Sequence, residues 1–87
     1  MARYSVEIRT SAIKELEAVV PKRERQRIAR RVAALAEDPR PRGCEKLAGL
    51  PARYRVRQGR YRVVYAVDDA ELLVDVVKIG HRKQVYR

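Results

Sequence analysis

The chain has 87 residues, enough for one domain and one modest core, with 21 Lys and Arg against 11 Asp and Glu, a formal net charge of +10. One cysteine, Cys44, allows no internal disulfide, and no apolar run has the length of a membrane span or signal segment. The expectation is therefore a single cytoplasmic domain over 1–87 with no membrane partner. One histidine, one cysteine and scattered carboxylates speak against a metal shell, and no glycine-rich nucleotide loop occurs, so no metal and no cofactor are expected.

In chain order, residues 3–9 alternate Tyr4, Val6 and Ile8 with Arg3, Ser5, Glu7 and Arg9, the period of a half-buried strand. Thr10 or Ser11 then caps a helix with Ala12, Ile13, Leu16, Val19 and Val20 on its inner side. Pro21 ends it and suits the start of a second helix, 22–37. There Ile28, Val32 and Leu35 form the inner stripe, Ala29, Ala33 and Ala36 fill beside it, and arginines cover the outer face. Residues 38–51, with Pro39, Pro41, Gly43 and Gly49, read as a loop. Three strands follow, roughly 53–57, 60–67 and 72–79, the last apolar on both faces and expected to be central. A basic tail, 80–87, closes the chain. The fold class is α+β, β-α-α-β-β-β plus tail, with two helices on one face of a small, mainly antiparallel sheet.

Sixteen of the cations are arginine, which grips phosphate in a bidentate fork and stacks on bases. With Gln58-Gly59 as the hairpin turn, Arg57 faces Arg60, Arg55 faces Arg62, and Arg53 joins them on one face. Like charges directly opposed cost a few tenths to about 1 kcal/mol per pair. No acidic residue lies between Glu45 and Asp68 to offset them, although Asp75 on the next strand is a possible counterion. A face that keeps such charge suits a polyanion, RNA above all. Fixed guanidinium groups stabilise the charge that builds on a phosphate in RNA strand scission, a reaction that needs no metal. Proton transfer needs another group, and Glu45, His81, Tyr86 and Lys46 are the candidates near the patch.

Four segments together resemble the RelE/ParE toxin superfamily: Lys-Leu-Ala-Gly at 46–49, Tyr-Arg-Val-Arg at 54–57, Gly-Arg-Tyr-Arg-Val-Val-Tyr at 59–65 and Gly-His-Arg-Lys-Gln-Val-Tyr-Arg at 80–87. The similarity spans nearly the whole chain and is stronger on the RelE side. It implies the RelE-like fold and a metal-independent endoribonuclease toxin that cleaves mRNA in the ribosomal A site and inhibits translation. Its partners would be mRNA, the ribosome with its rRNA, and a cognate antitoxin through which operator DNA is bound. By the resemblance, Arg55 and Arg57 are the basic pair of the first hairpin strand, Arg62 the transition-state arginine, Arg82 the C-terminal arginine and Tyr86 the base-stacking tyrosine. Nucleases of this group carry lysines where Arg55 and Arg57 stand, one of them a proposed general base, which leaves Glu45 or His81 for that role. Arg53, Arg60, Lys46 and Lys83 are expected to contact RNA. Two alternatives stand beside this reading: a ParE-like non-nuclease toxin that binds and poisons DNA gyrase, and an inactive member retained as a repressor component.

Overall fold

The computed structural model of the chain describes residues 3–81. Its elements are β1 (Ser5–Ile8), α1 (Thr10–Glu17), α2 (Lys22–Ala34), β2 (Glu45–Lys46), β3 (Arg53–Gln58), β4 (Tyr61–Asp68) and β5 (Leu73–His81). They form one five-stranded sheet in the order β1-β5-β4-β3-β2, antiparallel except where β1 lies parallel to β5. Both helices cover the same face. Ala12 and Val19, with Ile28, Val32 and Leu35 of the α2 stripe, meet Val56, Val63, Tyr65, Val67, Val74, Val76 and Ile79 in a single core. The α+β class and the helix-on-sheet layering are as the periodicities predict.

The helices bury less than their patterns suggest. Ile13 and Val20, expected inside, are 40% and 72% exposed, because α1 ends at Glu17 and only Ala12, Leu16 and Val19 reach the sheet. Ala29 and Ala33 are exposed as well, leaving a narrow stripe on α2. Arg9, not Thr10 or Ser11, holds the N-cap position of α1, without a side-chain cap. The second helix ends at Ala34 rather than near Glu37, and a turn carries Leu35, Ala36 and Pro39 back into the interior.

The hairpin register differs from the expected one by two residues. Gln58 pairs with Tyr61, so Gly59-Arg60 is the turn; Arg57 lies opposite Arg62, Arg55 opposite Val64 and Arg53 opposite Ala66. Gly59 has φ +60° and Arg60 does not have positive φ, which fits a type II′ turn with glycine at its first central position. A Cβ at Gly59 would also sit 2.9 Å from Glu24 Oε2. A slip of two residues preserves which face each side chain takes, so Arg53, Arg55, Arg57 and Arg62 still share one face. Arg60 leaves that face for the turn.

Two further strand features depart from the pattern. The segment expected as a loop contains β2, two residues long, which lengthens the sheet edge beside β3. In β5 a bulge falls where Val64 pairs with Lys78 and Tyr65 with Val76. It lets Val74 and Val76, then Ile79, all point to the core, so the apolar run reflects an alternation with one extra residue rather than two buried faces. The strand is flanked by β1 and β4, while the middle position belongs to β4. Gly80 and His81, expected in the tail, extend β5. Past the end of β1, the Glu15 carboxylate accepts the Ile79 N–H at 3.0 Å and the Lys78 ammonium at 2.5 Å, supplying a partner where the neighbouring strand stops.

At the other end of the sheet a clasp fixes the 38–44 segment. Arg40 donates twice to Asp69, at 3.1 and 2.8 Å, and once to Tyr54 Oη at 3.0 Å. Tyr4 Oη donates to the same Asp69 at 2.6 Å, and the buried Tyr65 hydroxyl donates to the Pro39 carbonyl at 2.7 Å. The Tyr54 ring stacks on Tyr65 with centroids 6.0 Å apart. Arg40 and Tyr4 hold the Asp69 carboxyl below its usual range, and burial pushes the Tyr65 phenol well up.

Candidate phosphate-binding face

On the side of the sheet away from the helices, β3 and β4 carry alternate arginines. The core takes Tyr54, Val56, Tyr61, Val63 and Tyr65, so the opposite phase of the same period presents Arg53, Arg55, Arg57 and Arg62. Two of these guanidinium groups are well enclosed: Arg55 and Arg62 are each 9% exposed, whereas Arg57 is exposed and Arg53 half-buried. Arg side chains are seldom buried to that degree unless paired. Arg55 has its partner on β2, where Glu45 stands directly opposite and its carboxylate lies 2.7 Å from the guanidinium.

That ion pair fixes the electrostatics of the face. The hydrogen bond from Arg55, joined by the charges of Arg57 and Arg62, holds the Glu45 carboxyl below the ordinary carboxylate value. Glu45 is thus ionised across the physiological range, and with its side chain 59% exposed it can be reached from solvent. Asp75, the other carboxylate considered for the patch, pairs across the sheet with Ala66 and accepts two hydrogen bonds from Arg9, at 3.3 and 3.2 Å. The balance beside Arg55, Arg57 and Arg62 is strongly positive, with guanidinium groups held by the sheet rather than by flexible loops. Such a surface binds a phosphodiester and stabilises added charge on its oxygens.

The structure brings Glu45, Arg53, Arg55, Arg57 and Arg62 together and separates others. Lys46 lies opposite Tyr54, in the phase of the helix-side face. His81 lies opposite Tyr61, with the two rings edge to face at 5.9 Å, so it too stands on the helix side, away from the arginines. Arg60 occupies the hairpin turn. Arg82, Lys83 and Tyr86 lie outside the described residues. Among the described residues no group of three or more His, Cys, Asp or Glu side chains is placed to hold a metal ion, and no helix is long and apolar enough to cross a membrane. Sequence reasoning missed Arg40 and Asp69, which anchor the segment leading to Glu45. Their partnership spans 29 positions, and no local pattern announces it.

Comparison with known proteins agrees with this architecture. The family model described as the ParE toxin of type II toxin-antitoxin system, parDE, matches residues 6–86. A putative RelE-like toxin protein of Escherichia coli is 31% identical over 84 residues, covering 94% of this chain and 86% of the relative. Among solved structures, the archaeal RelE–RelB complex from Pyrococcus horikoshii holds a chain that superposes with a TM-score of 0.82 at 30% identity, covering 97% of this chain and 99% of that one. The isolated E. coli RelE toxin superposes at 0.76 with 29% identity, covering 95% and 90%. The chain belongs to the ParE toxin family of type II toxin–antitoxin systems and has the RelE-like fold.

Proposed function

We propose that the protein is an endoribonuclease toxin that inhibits translation by cutting mRNA in the ribosomal A site, acting in the cytoplasm without a metal. One observation carries this reading: Arg55, Arg57 and Arg62 converge on one face of the sheet with the ionised Glu45 against them. The 2′-oxygen of the substrate attacks the adjacent phosphorus, a 2′,3′-cyclic phosphate forms, and the bond to the 5′-oxygen breaks. Arg62 and Arg55 stabilise the extra charge on the phosphorane, and Arg57, more exposed, holds the scissile phosphate. Glu45 takes the 2′-hydroxyl proton and water protonates the leaving oxygen. Its lowered pKa keeps Glu45 in the accepting form but makes it a weak base, so the arginines supply the larger share of the rate. The ribosome supplies alignment that so small a protein lacks, so isolated RNA is cut poorly. A RelB-type antitoxin is the proposed neutralising partner, as in the complex of the archaeal relative, and operator DNA is reached through that complex.

The ParE description of the matching family supports a second reading, a toxin that binds and poisons DNA gyrase without nuclease chemistry. One experiment separates the two: the protein is induced in cells, mRNA 5′ ends are mapped, and gyrase supercoiling is assayed in parallel. New ends within translated codons, lost in Arg62→Ala, are the expected result. Gyrase–DNA cleavage complexes with intact mRNA would overturn the nuclease reading.

A further inference from the structure

Arg60 and His81, both absent from the arginine face, meet again on the helix side of the hairpin tip. There a groove of about 440 Å³ runs between the turn joining α1 to α2, the first turn of α2, and the Gly59-Arg60 turn. This volume lies within the range of small-molecule pockets, about 300–1,000 Å³. Tyr61 and His81, edge to face at 5.9 Å, contribute aromatic surface to its lining. Val20, 72% exposed, supplies an apolar wall. Arg23 and Arg60 bring positive charge to its rim. Gly59 allows the close approach of Glu24 that closes one side, since a Cβ there would collide with the carboxylate.

We infer that this groove is a nucleotide subsite, which takes the base of a residue flanking the cleaved bond as the RNA passes over the hairpin tip. The inference rests on the nuclease reading above. Aromatic faces beside cations are the general means of holding single-stranded nucleic acid, because every base has a face to stack and every linkage a phosphate to neutralise. The groove and the proposed phosphate site lie on opposite faces of the hairpin and meet around its tip: Arg57 and Arg62 are each one residue removed from the Gln58–Tyr61 pair that closes the turn bearing Arg60. An acidic peptide fits less well. Glu24 lines this groove, and Glu15 lines the adjoining one that shares Tyr61 and His81. These carboxylates repel acidic side chains entering the groove, whereas a nucleotide keeps its phosphate at the Arg23 and Arg60 rim and offers them the exocyclic amine of cytosine or adenine.

The test is 5′-end mapping of mRNA after induction of the wild-type protein and of Arg60→Ala, His81→Ala and Val20→Glu. The last alters an exposed wall residue and leaves the core untouched. Arg62→Ala serves as the reference for the nuclease itself. In each groove variant, cutting is expected to persist at a yield lowered roughly 5- to 150-fold, the loss of one stacked base, and the wild-type base bias beside the cut is expected to flatten. Unchanged bias in all three, with cutting abolished by Arg62→Ala, overturns the subsite and leaves the nuclease standing. Cutting that survives Arg62→Ala overturns the reading beneath it. Unchanged bias combined with lost neutralisation by co-expressed antitoxin gives the groove to a protein partner instead.

Discussion

Replacing Arg57 by Gln should make the protein more stable and less active. Arg57 is exposed and directly opposite Arg62 across the hairpin, where side chains leave the backbone about 4.5–5.5 Å apart at Cβ. Two unit charges about 6 Å apart repel by about 0.7 kcal/mol in water and by more where one is enclosed as Arg62 is, and the attraction of Arg57 to Glu45 offsets part of this. That is the size of a cross-strand side-chain pair term in general, a few tenths to about 1 kcal/mol. Gln keeps the length and polarity of the stem while removing the charge, so unfolding in urea should show a gain of about 0.2–1 kcal/mol. On a domain of this size that corresponds to roughly 1–8 °C in Tm. The gain should shrink in 1 M salt, where the screening length falls to about 3 Å. In the same variant, cleavage of ribosome-bound mRNA should drop by about 10- to 150-fold, the loss of one charged hydrogen bond of about 1.5–3 kcal/mol to the scissile phosphate. A variant less stable than the wild type, or a gain insensitive to salt, would refute the account of the face as charge held against its own repulsion.

Glu45→Gln should lower cleavage about 10²-fold or more if the carboxylate accepts the 2′-hydroxyl proton, and the wild-type rate should show no acid limb above about pH 5; an unchanged rate or a limb near pH 6 contradicts that role. Asp69 has a lowered pKa, so its contribution to stability is full above the ordinary value of 3.8 and is lost as pH falls below it. Asp69→Asn should accordingly flatten the stability curve below about pH 4, measured by acid titration of the circular dichroism signal. Tyr65→Phe removes the buried hydrogen bond to the Pro39 carbonyl and should cost about 1–3 kcal/mol in urea unfolding, because that acceptor loses its partner. Gly59→Ala should cost about 1 kcal/mol or more, since the turn needs positive φ and the added carbon meets Glu24.

The layered α+β architecture was legible because its carriers are periodic: Val6 and Ile8 at spacing two, Ile28, Val32 and Leu35 at helical spacing. The arginine face was legible for the same reason, and it withstood an error in register because the error was an even number of residues. That error came from placing Gly59 second in the turn, where a type I′ turn wants it, instead of first, as type II′ requires. What depends on one extra residue or on distant partners escaped. The bulge at Val64/Tyr65 turns His81 to the side of Tyr61, and nothing in the run from Leu73 to Ile79 marks where the alternation breaks. The β2 strand exists only because Glu45 and Lys46 find Arg55 and Tyr54 across a glycine- and proline-rich stretch, and two residues carry no period.

The parallel pairing of β1 with β5 has a kinetic consequence. It joins the two sequence extremes of the sheet, and the Arg9–Asp75 bridge beside it spans 66 positions. The β3–β4 hairpin, by contrast, closes through a two-residue turn and needs only its immediate neighbours. Contacts distant in sequence form slowly because the loop-closure entropy precedes their reward. The charged hairpin should therefore be organised early, and docking of the first strand should be the late step that completes the core around Val74 and Val76. Substitutions in β1, such as Val6→Ala, would then speed unfolding more than they slow refolding, the mark of an element absent from the folding nucleus.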